Sequence, residues 1–244
     1  LTGAQNLVGF SKHYLKEPAC RIFYTKKVLP KKNLFHVIEI NQELVRSQGA
    51  TSILPTSIEF KVLEKEHAYV NELLERHQLE DFIIVNPGGG WITKKWPAIN
   101  YGLLHNKIKD LIGIPTVFTW GPGEENLIQE VKSASIGAPP LCFPTTIPQF
   151  IALVQRSRLF IGGDTGPLHL AAACKTPIVG IYGPTNPLRN GPFHPSDITV
   201  FQSVPCGPCY KKTCEKYQSK CMTLVSVDEV FDAVVKRLKS GSLR

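Results

Sequence analysis

Short apolar runs alternate with amphipathic stretches along the chain from residue 82 onward. This alternation is typical of βαβ units, in which helices cover both faces of a parallel sheet. Strands are predicted at 82–87, 114–120, 158–163 and 177–183, and helices at 97–112, 124–134, 147–156 and 166–174. The pattern therefore predicts an α/β domain with a doubly wound, Rossmann-like parallel sheet.

The residues before this domain have a weaker pattern. Short strands are predicted at 6–10 and 21–24, helices at 35–48 and 64–77, and an irregular linker at 50–59. About 60 residues are too few to bury a well-stabilised core of their own. We therefore predict that residues 1–60 are the end of a larger domain.

Three loops follow predicted strands, and ligands bind beyond the carboxyl ends of parallel strands, where helix N-termini offer unpaired N–H groups. In the first loop, Gly89 and Gly90 allow close approach of a ligand, and the cation of Lys94 suits a phosphate. A flexible turn with a solvated lysine is the alternative. In the second loop, Glu124 is placed either to bind ribose hydroxyls or to complement the dipole of the next helix.

The third loop reads GGDTGPLH and joins a predicted strand to a predicted helix. Asp164 is placed to cap the helix or to bind hydroxyls, and Thr165 and Gly166 bring N–H groups to the same edge. His169 lies in the first turn, where a hydrogen-bonded core histidine is the alternative to a ligand-binding one. The loops lack a Walker motif and a dinucleotide fingerprint, which disfavours nucleotide hydrolysis and NAD binding. They also contain no sequence that resembles a nucleophile elbow.

Taken together, the loops PGGGW with Lys94 and a following Trp-Pro, WGPGE, and GDTGPLH resemble glycosyltransferase family 9. These are the bacterial ADP-heptose:lipopolysaccharide heptosyltransferases. The resemblance covers about residues 82–238 and extends weakly to the start through 36–50. It implies a GT-B architecture with a complete C-terminal Rossmann-like domain and an N-terminal Rossmann-like domain that is only partly present.

On this resemblance the chain is divided into three parts. Residues 1–60 are expected to be the remnant of the acceptor-side domain with its linker. Residues 61–225 would form the nucleotide-sugar-binding domain, including a cysteine-rich loop at 206–221, and residues 226–244 a C-terminal helix. The helix is also indicated by an N-cap serine, early acids and an apolar stripe.

The resemblance also assigns roles to residues of the loops. Lys94 would contact the phosphates or the sugar of the donor, and Glu124 the ribose hydroxyls. The adenine would lie beside Thr145 and Thr146, and the pyrophosphate against Thr165 and Gly166. Asp164 and His169 would complete the pocket, together with Gly89 and Gly90. The implied activity is inverting, metal-independent transfer of heptose from ADP-heptose to the inner core of lipopolysaccharide.

Alternatives to this activity stay open at the level of sequence. Another sugar or acceptor within the family is one, and a non-catalytic nucleotide-sugar-binding or zinc-binding protein is another. In the family the general base is an aspartate near the start of the N-terminal domain, so it is expected upstream of residue 1, and no catalytic residue is assigned here. We therefore predict that this chain binds the donor but transfers heptose poorly or not at all.

The chain carries a formal net charge of +8, with a pI near 9.1, which suggests an anionic partner. No motif of interleaved aromatic and basic residues supports nucleic acid as that partner. The lysines at 25–32 and 210–220 are placed to face either a phosphorylated acceptor, which would be lipid A-Kdo or the heptosylated core, or the anionic leaflet of the membrane. The alternative is that these lysines are simply solvated. No signal peptide or apolar membrane span is visible. A cytoplasmic protein, peripheral at the inner membrane, is predicted.

Four cysteines have the spacing C-x2-C-x4-C-x6-C. This spacing permits a structural zinc site, disulfides or reduced thiols in a compact loop, although disulfides are disfavoured in the cytoplasm. No cofactor is expected for the transfer itself. The four candidate zinc ligands are Cys206, Cys209, Cys214 and Cys221.

Overall fold

The structure is a computed structural model that describes residues 3–51, 58–215 and 217–241. The chain divides into two compact units, residues 1–56 with 188–190 and residues 57–187 with 191–244. Residues 52–57 of the predicted linker lie outside the described residues, and the predicted division into three parts stays a prediction. Among the described residues, no helix combines the length and the apolar character that crossing a membrane requires.

In the smaller unit, strand β1 (Val8–Phe10) pairs in parallel with strand β2 (Lys26–Val28), and helix α1 (Val37–Arg46) follows. The predictions at 6–10 and 35–48 are confirmed. The predicted strand at 21–24 is wrong, because Pro18–Phe23 forms a 3-10 helix and the strand begins after it. A proline with its φ already set begins this helix and favours a helical turn over an extended segment.

Among the described residues, the larger unit contains six strands, seven helices and one 3-10 turn (Ile92–Lys94), and an eighth helix has only its first residue in this unit. In chain order the strands and helices are α2 (Glu64–Arg76), β3 (Ile83–Asn86), α3 (Ala98–Leu111), β4 (Thr116–Trp120), α4 (Glu125–Ser133), β5 (Leu141–Pro144), α5 (Ile147–Arg156), β6 (Leu159–Gly163), α6 (Gly166–Ala173), β7 (Ile178–Tyr182), α7 (Pro187–Asn190), β8 (Ile198–Phe201), α8 (Lys220–Thr223) and α9 (Val227–Gly241). The first residue of helix α7, Pro187, belongs to the larger unit, and its other residues, 188–190, belong to the smaller unit.

The six strands form one parallel sheet in the order β5-β4-β3-β6-β7-β8. This order makes β3 and β6 neighbours in space although three helices and two strands separate them along the chain. The direction in which the strands progress reverses between them, and such a topological switch point opens a ligand crevice at the carboxyl ends of the strands. The loops that follow β3 and β6 therefore meet at that crevice.

Helices cover both faces of the sheet, and each face has its own core. One core contains α3, α4 and α9, with Trp96 and Met222 fully buried among them. The other contains α2, α5 and α6, packed on Phe82 and Phe160. Helices α3 and α4 approach so closely that a Cβ at Gly102 would lie 2.5 Å from a backbone oxygen of α4, so only glycine fits there.

A buried ion pair joins α9 to the sheet. The Arg237 Nε donates to the Asp197 Oδ1 at 3.0 Å, and the two side chains are 5% and 3% exposed. The same Asp197 oxygen accepts the Ile178 N–H, at the first residue of β7, at 3.0 Å. Ser226 and Glu229 cap the other end of α9, because each side chain accepts the backbone N–H of the other residue. Both ends of this helix are therefore held by polar contacts.

A cavity of about 200 Å³ lies at the amino ends of β4 and β5, the edge opposite the crevice. Its walls include His105, Lys109 and Leu141. His105 is already hydrogen-bonded to Thr116, at 2.6 Å, and burial lowers its pKa. None of the predicted site residues lines this cavity.

Candidate functional site

A buried carboxylate lies at the centre of the crevice. Asp164 is the first residue after β6, and its side chain is 3% exposed. Lys94, from the loop after β3, donates from its Nζ to the Asp164 Oδ2 at 2.7 Å and to the Asp164 backbone oxygen at 3.0 Å. His169 donates from its Nε2 to the Oδ1 at 3.2 Å, and the Thr185 hydroxyl donates to the Oδ2 at 2.7 Å. Side chains from three adjacent strand ends thus converge on one acid.

These contacts decide the protonation state of Asp164. Burial by itself would raise the pKa of its carboxyl, but the hydrogen bonds from His169, Lys94 and Thr185 and the charge of Lys94 outweigh burial. The pKa of Asp164 falls from 3.8 to about 2. The carboxylate is therefore charged near neutral pH and orients Lys94 rather than exchanging protons.

The Lys94 ammonium also lies 4.5 Å from the centre of the Trp91 ring, a cation–π contact. The Lys94 side chain is 15% exposed, so part of it faces solvent although its ammonium is paired with buried Asp164. The alternative of a freely solvated lysine in a flexible turn is therefore wrong. Lys94 is an oriented cation at the edge of the sheet.

Glu124, immediately before α4, connects two loops. Its Oε1 accepts the Gly89 N–H at 2.9 Å, and its Oε2 accepts the Gly121 N–H at 3.0 Å. A Cβ at Gly88 would lie 2.1 Å from the same carboxylate, so glycine at this position leaves the space that Glu124 occupies. Because its partners are loop N–H groups, Glu124 does more than complement the dipole of α4.

The N-terminus of α6 lies beside the Asp164 cluster. Thr165 precedes the helix, Gly166 is its first residue, and a Cβ at Gly166 would contact nothing within 4 Å. The second residue, Pro167, has no N–H, and the other N–H groups of the first turn have no partner within the helix and lie beside the sterically open position of Gly166. His169 is 50% exposed and paired with Asp164, so the alternative of a core histidine is wrong.

The remaining candidates lie at the rim of the crevice. Thr146 and Gln149 form a capping box at the start of α5, which uses the Thr146 hydroxyl within the protein. Thr145 is half-buried just before it, and Gly90 is exposed in the loop after β3. Their predicted contacts with adenine and with the donor stay predictions.

Sequence reasoning missed two residues of the cluster. Thr185, which is 2% exposed, follows β7 in the loop GPTNP, and Tyr182 is fully buried at the end of the same strand. Burial and the charge of Asp164 raise the pKa of Tyr182. The signal was present, because β7 is also a predicted parallel strand whose carboxyl end reaches the same edge of the sheet.

The cysteine-rich loop contains exposed, half-buried and buried thiols. Cys206 is exposed, Cys221 is buried and all four cysteines of the loop are free. Burial raises the pKa of Cys221, and so do the neighbouring charges of Cys209, Cys206 and Cys214. Within the described ranges, no three His, Cys, Asp or Glu side chains are placed together as ligands of one metal ion. The zinc interpretation therefore stays a prediction.

The sequence is similar to known proteins of one family. Residues 1–219 match the family "Glycosyltransferase family 9 (heptosyltransferase)". Lipopolysaccharide heptosyltransferase 1 of Pseudomonas aeruginosa is 26% identical over 212 residues, 87% of this chain and 58% of that protein. Lipooligosaccharide heptosyltransferase 2 of Campylobacter jejuni is 30% identical over 168 residues, 65% of this chain and 51% of that protein. The chain thus spans between half and two thirds of the length of these relatives.

Solved structures of the same family have the same fold. A family 9 glycosyl transferase from Veillonella parvula superposes with a TM-score of 0.78 at 23% identity and covers 91% of this chain and 65% of that chain. The heptosyltransferase WaaC of Escherichia coli, solved with ADP, gives a TM-score of 0.66 at 19% identity and covers 94% and 65%, respectively. The parallel α/β sheet is therefore that of GT-B heptosyltransferase structures.

Proposed function

The chain belongs to glycosyltransferase family 9, the heptosyltransferases, and from this premise we propose that it binds ADP-heptose for transfer of heptose to the inner core of lipopolysaccharide. The observation that carries the proposal is the convergence of Lys94, Thr185 and His169 on buried Asp164 at the topological switch point. The proposed transfer inverts the anomeric centre and needs no metal ion. Oriented N–H groups and a cation stabilise the leaving diphosphate instead.

Lys94 is the group that we assign to the diphosphate. An ammonium has three N–H donors, and in the part of the chain that the structure describes two of its hydrogen bonds go to Asp164. One donor is therefore left for a phosphate oxygen. The N-terminus of α6, with Thr165 and Gly166, offers backbone donors and a partial positive charge to the same group.

Glu124 is the group that we assign to the ribose. Its two hydrogen bonds to loop N–H groups fix the plane of the carboxylate, and each oxygen keeps further acceptor capacity. The two adjacent hydroxyls of a ribose are donors whose spacing matches that of the two carboxylate oxygens. The same contacts tie the loop after β3 to the loop after β4, so the residues assigned to the ribose and to the phosphate are held in fixed positions relative to each other.

Binding of ADP to the 244-residue chain tests this proposal. By isothermal titration calorimetry we expect ADP to bind at one site and the Glu124→Gln variant to bind it about tenfold more weakly, because the amide accepts only one of the two loop N–H bonds. The Glu124→Gln variant should also bind AMP about tenfold more weakly than the unaltered chain does, since the ribose is common to both nucleotides. Glu125→Gln, in the adjacent exposed position, should stay within about twofold. Failure of the unaltered chain to bind ADP would overturn the proposal.

Asp164 is unsuited to the role of general base. A carboxyl with a pKa of about 2 that already accepts three side-chain hydrogen bonds is a weak proton acceptor. We therefore expect these 244 residues to bind the donor without transferring heptose at an appreciable rate. Product formation from ADP-heptose and heptose-free core acceptor, followed by mass spectrometry, checks this, and robust turnover would contradict it.

A further inference from the structure

The cysteine-rich loop is attached to the candidate donor site at successive residues. The Tyr210 N–H donates to the Pro184 backbone oxygen at 2.9 Å, and its hydroxyl accepts the Asn186 N–H at 3.3 Å. Both partners lie in the loop after β7, the loop that supplies Thr185 to the Asp164 cluster. Tyr210, the first residue of the lysine-rich stretch 210–220, is therefore held at the carboxyl edge of the sheet.

The next residue is held from the other side of the crevice. The hydroxyl of Thr93, which is 2% exposed, donates to the Lys211 backbone oxygen at 2.7 Å. This bond spans 118 residues of sequence and joins the cysteine-rich loop to the 3-10 turn that carries Lys94. Because a buried hydroxyl is satisfied by this contact, the position of the loop is specified rather than incidental.

The residue after this anchor contacts the aromatic ring that Lys94 also contacts. The Lys212 Nζ lies 5.7 Å from the centre of the Trp91 ring, and the Lys94 Nζ lies 4.5 Å from it. Lys94 is neutralised by Asp164. Among the described residues Lys212 has no carboxylate within 4 Å, and it is exposed. An anion bound beside both ammonium groups would be attracted to each of them, and for Lys212 it would supply the missing counter-charge.

We propose that Lys212 is a donor-binding residue that contributes a second cation to the diphosphate of the nucleotide sugar, with Trp91 as its platform and Thr93 as the residue that positions its loop. The assignment rests on the proposed function, because the diphosphate is the anion that binds between the cations. The cysteine-rich loop thereby becomes one wall of the donor site. A second cation near the departing phosphate stabilises the charge that develops on it.

Calorimetric titration of ADP into the 244-residue chain tests the assignment. We expect Lys212→Ala to weaken ADP binding about fivefold to tenfold at low salt, and we expect the loss to shrink at 0.5 M NaCl because exposed charges are screened. Lys211→Ala is the matched control, since it removes the same charge from the same loop and leaves the backbone acceptor of Thr93 in place. Its ADP affinity should stay within twofold of the unaltered chain.

Two further variants separate the charge from the position of the loop. Lys212→Arg should restore most of the ADP affinity, because the guanidinium keeps the charge and the contact with the ring. Thr93→Val keeps the shape of the side chain but removes its hydrogen bond to the Lys211 backbone oxygen, so it should weaken ADP binding about threefold. Lys211→Ala keeps that hydrogen bond, and its ADP affinity should stay within twofold. Equal losses for Lys211→Ala and Lys212→Ala, or no loss for either, would overturn this inference alone. If the unaltered chain bound no ADP, both the proposed function and this inference would be overturned.

Discussion

Lys94→Ala is expected to reduce ADP affinity on the order of a hundredfold, equivalent to about 3 kcal/mol, because it removes a charge-assisted bond to phosphate. It also leaves the Asp164 carboxylate without its cation, pointing a buried negative charge at the ligand. The same change should lower the free energy of unfolding by about 3 kcal/mol, the lower end of the range for breaking a buried pair, since Lys94 is partly exposed. Calorimetry and denaturant unfolding measure the two effects.

A double variant separates binding from stability. Lys94→Met combined with Asp164→Asn removes both charges, so no unpaired carboxylate is buried and most of the stability should return. ADP affinity should stay low, because the cation is still absent. Lys95→Ala removes a neighbouring charge and should leave both measurements nearly unchanged. If ADP affinity returned with stability, Lys94 would not be the phosphate ligand.

The pH dependence of unfolding follows from the lowered pKa of Asp164. Because the folded value, about 2, is below the ordinary value of 3.8, this carboxyl contributes stability above about pH 4 and loses it as the pH falls toward 2. In Lys94→Ala that contribution is reduced. The difference in stability between the two chains should therefore be largest above pH 4 and shrink as the solution becomes more acidic.

Arg237→Met is expected to lower the free energy of unfolding by about 3–5 kcal/mol, because it leaves the Asp197 carboxylate buried and unpaired. For a chain of this size the thermal midpoint should fall on the order of 10 °C. Lys236→Ala, which removes an exposed charge from the adjacent position of α9, is the matched control and should change stability by less than about 0.5 kcal/mol. ADP affinity of the folded variant should not change, since the pair lies away from the crevice loops.

Acid should partly rescue Arg237→Met. Burial raises the pKa of Asp197 even with Arg237 present, although the hydrogen bonds from Ile178 and Arg237 oppose the rise. Without the arginine the pKa rises further, and a raised carboxyl pKa makes protonation favour the folded state. The stability difference from the unaltered chain should therefore narrow as the pH falls through the range in which Asp197 titrates. A difference that did not change with pH would show that Asp197 is not the source of the penalty.

The sequence predicted the buried part of the sheet well and its edges poorly. The central strands β3, β4, β6 and β7 are apolar runs, because both of their faces are covered by helices. Strands β5 and β8 lie at the two edges, are short and partly exposed, and were not predicted as strands. An edge strand needs no continuous apolar run, so local pattern does not distinguish it from a loop.

The candidate site was predicted loop by loop, and the structure decided how the loops act together. The sequence by itself determined that Lys94, Glu124 and Asp164 follow parallel strands, because glycines, prolines and apolar runs mark where those strands end. Only the tertiary structure decided that Asp164 is the shared partner of Lys94, His169 and Thr185, and that Lys212 lies on the ring that Lys94 contacts. The order of strands in the sheet sets these contacts, since it makes neighbours of segments that lie from a few residues to more than a hundred apart in the chain.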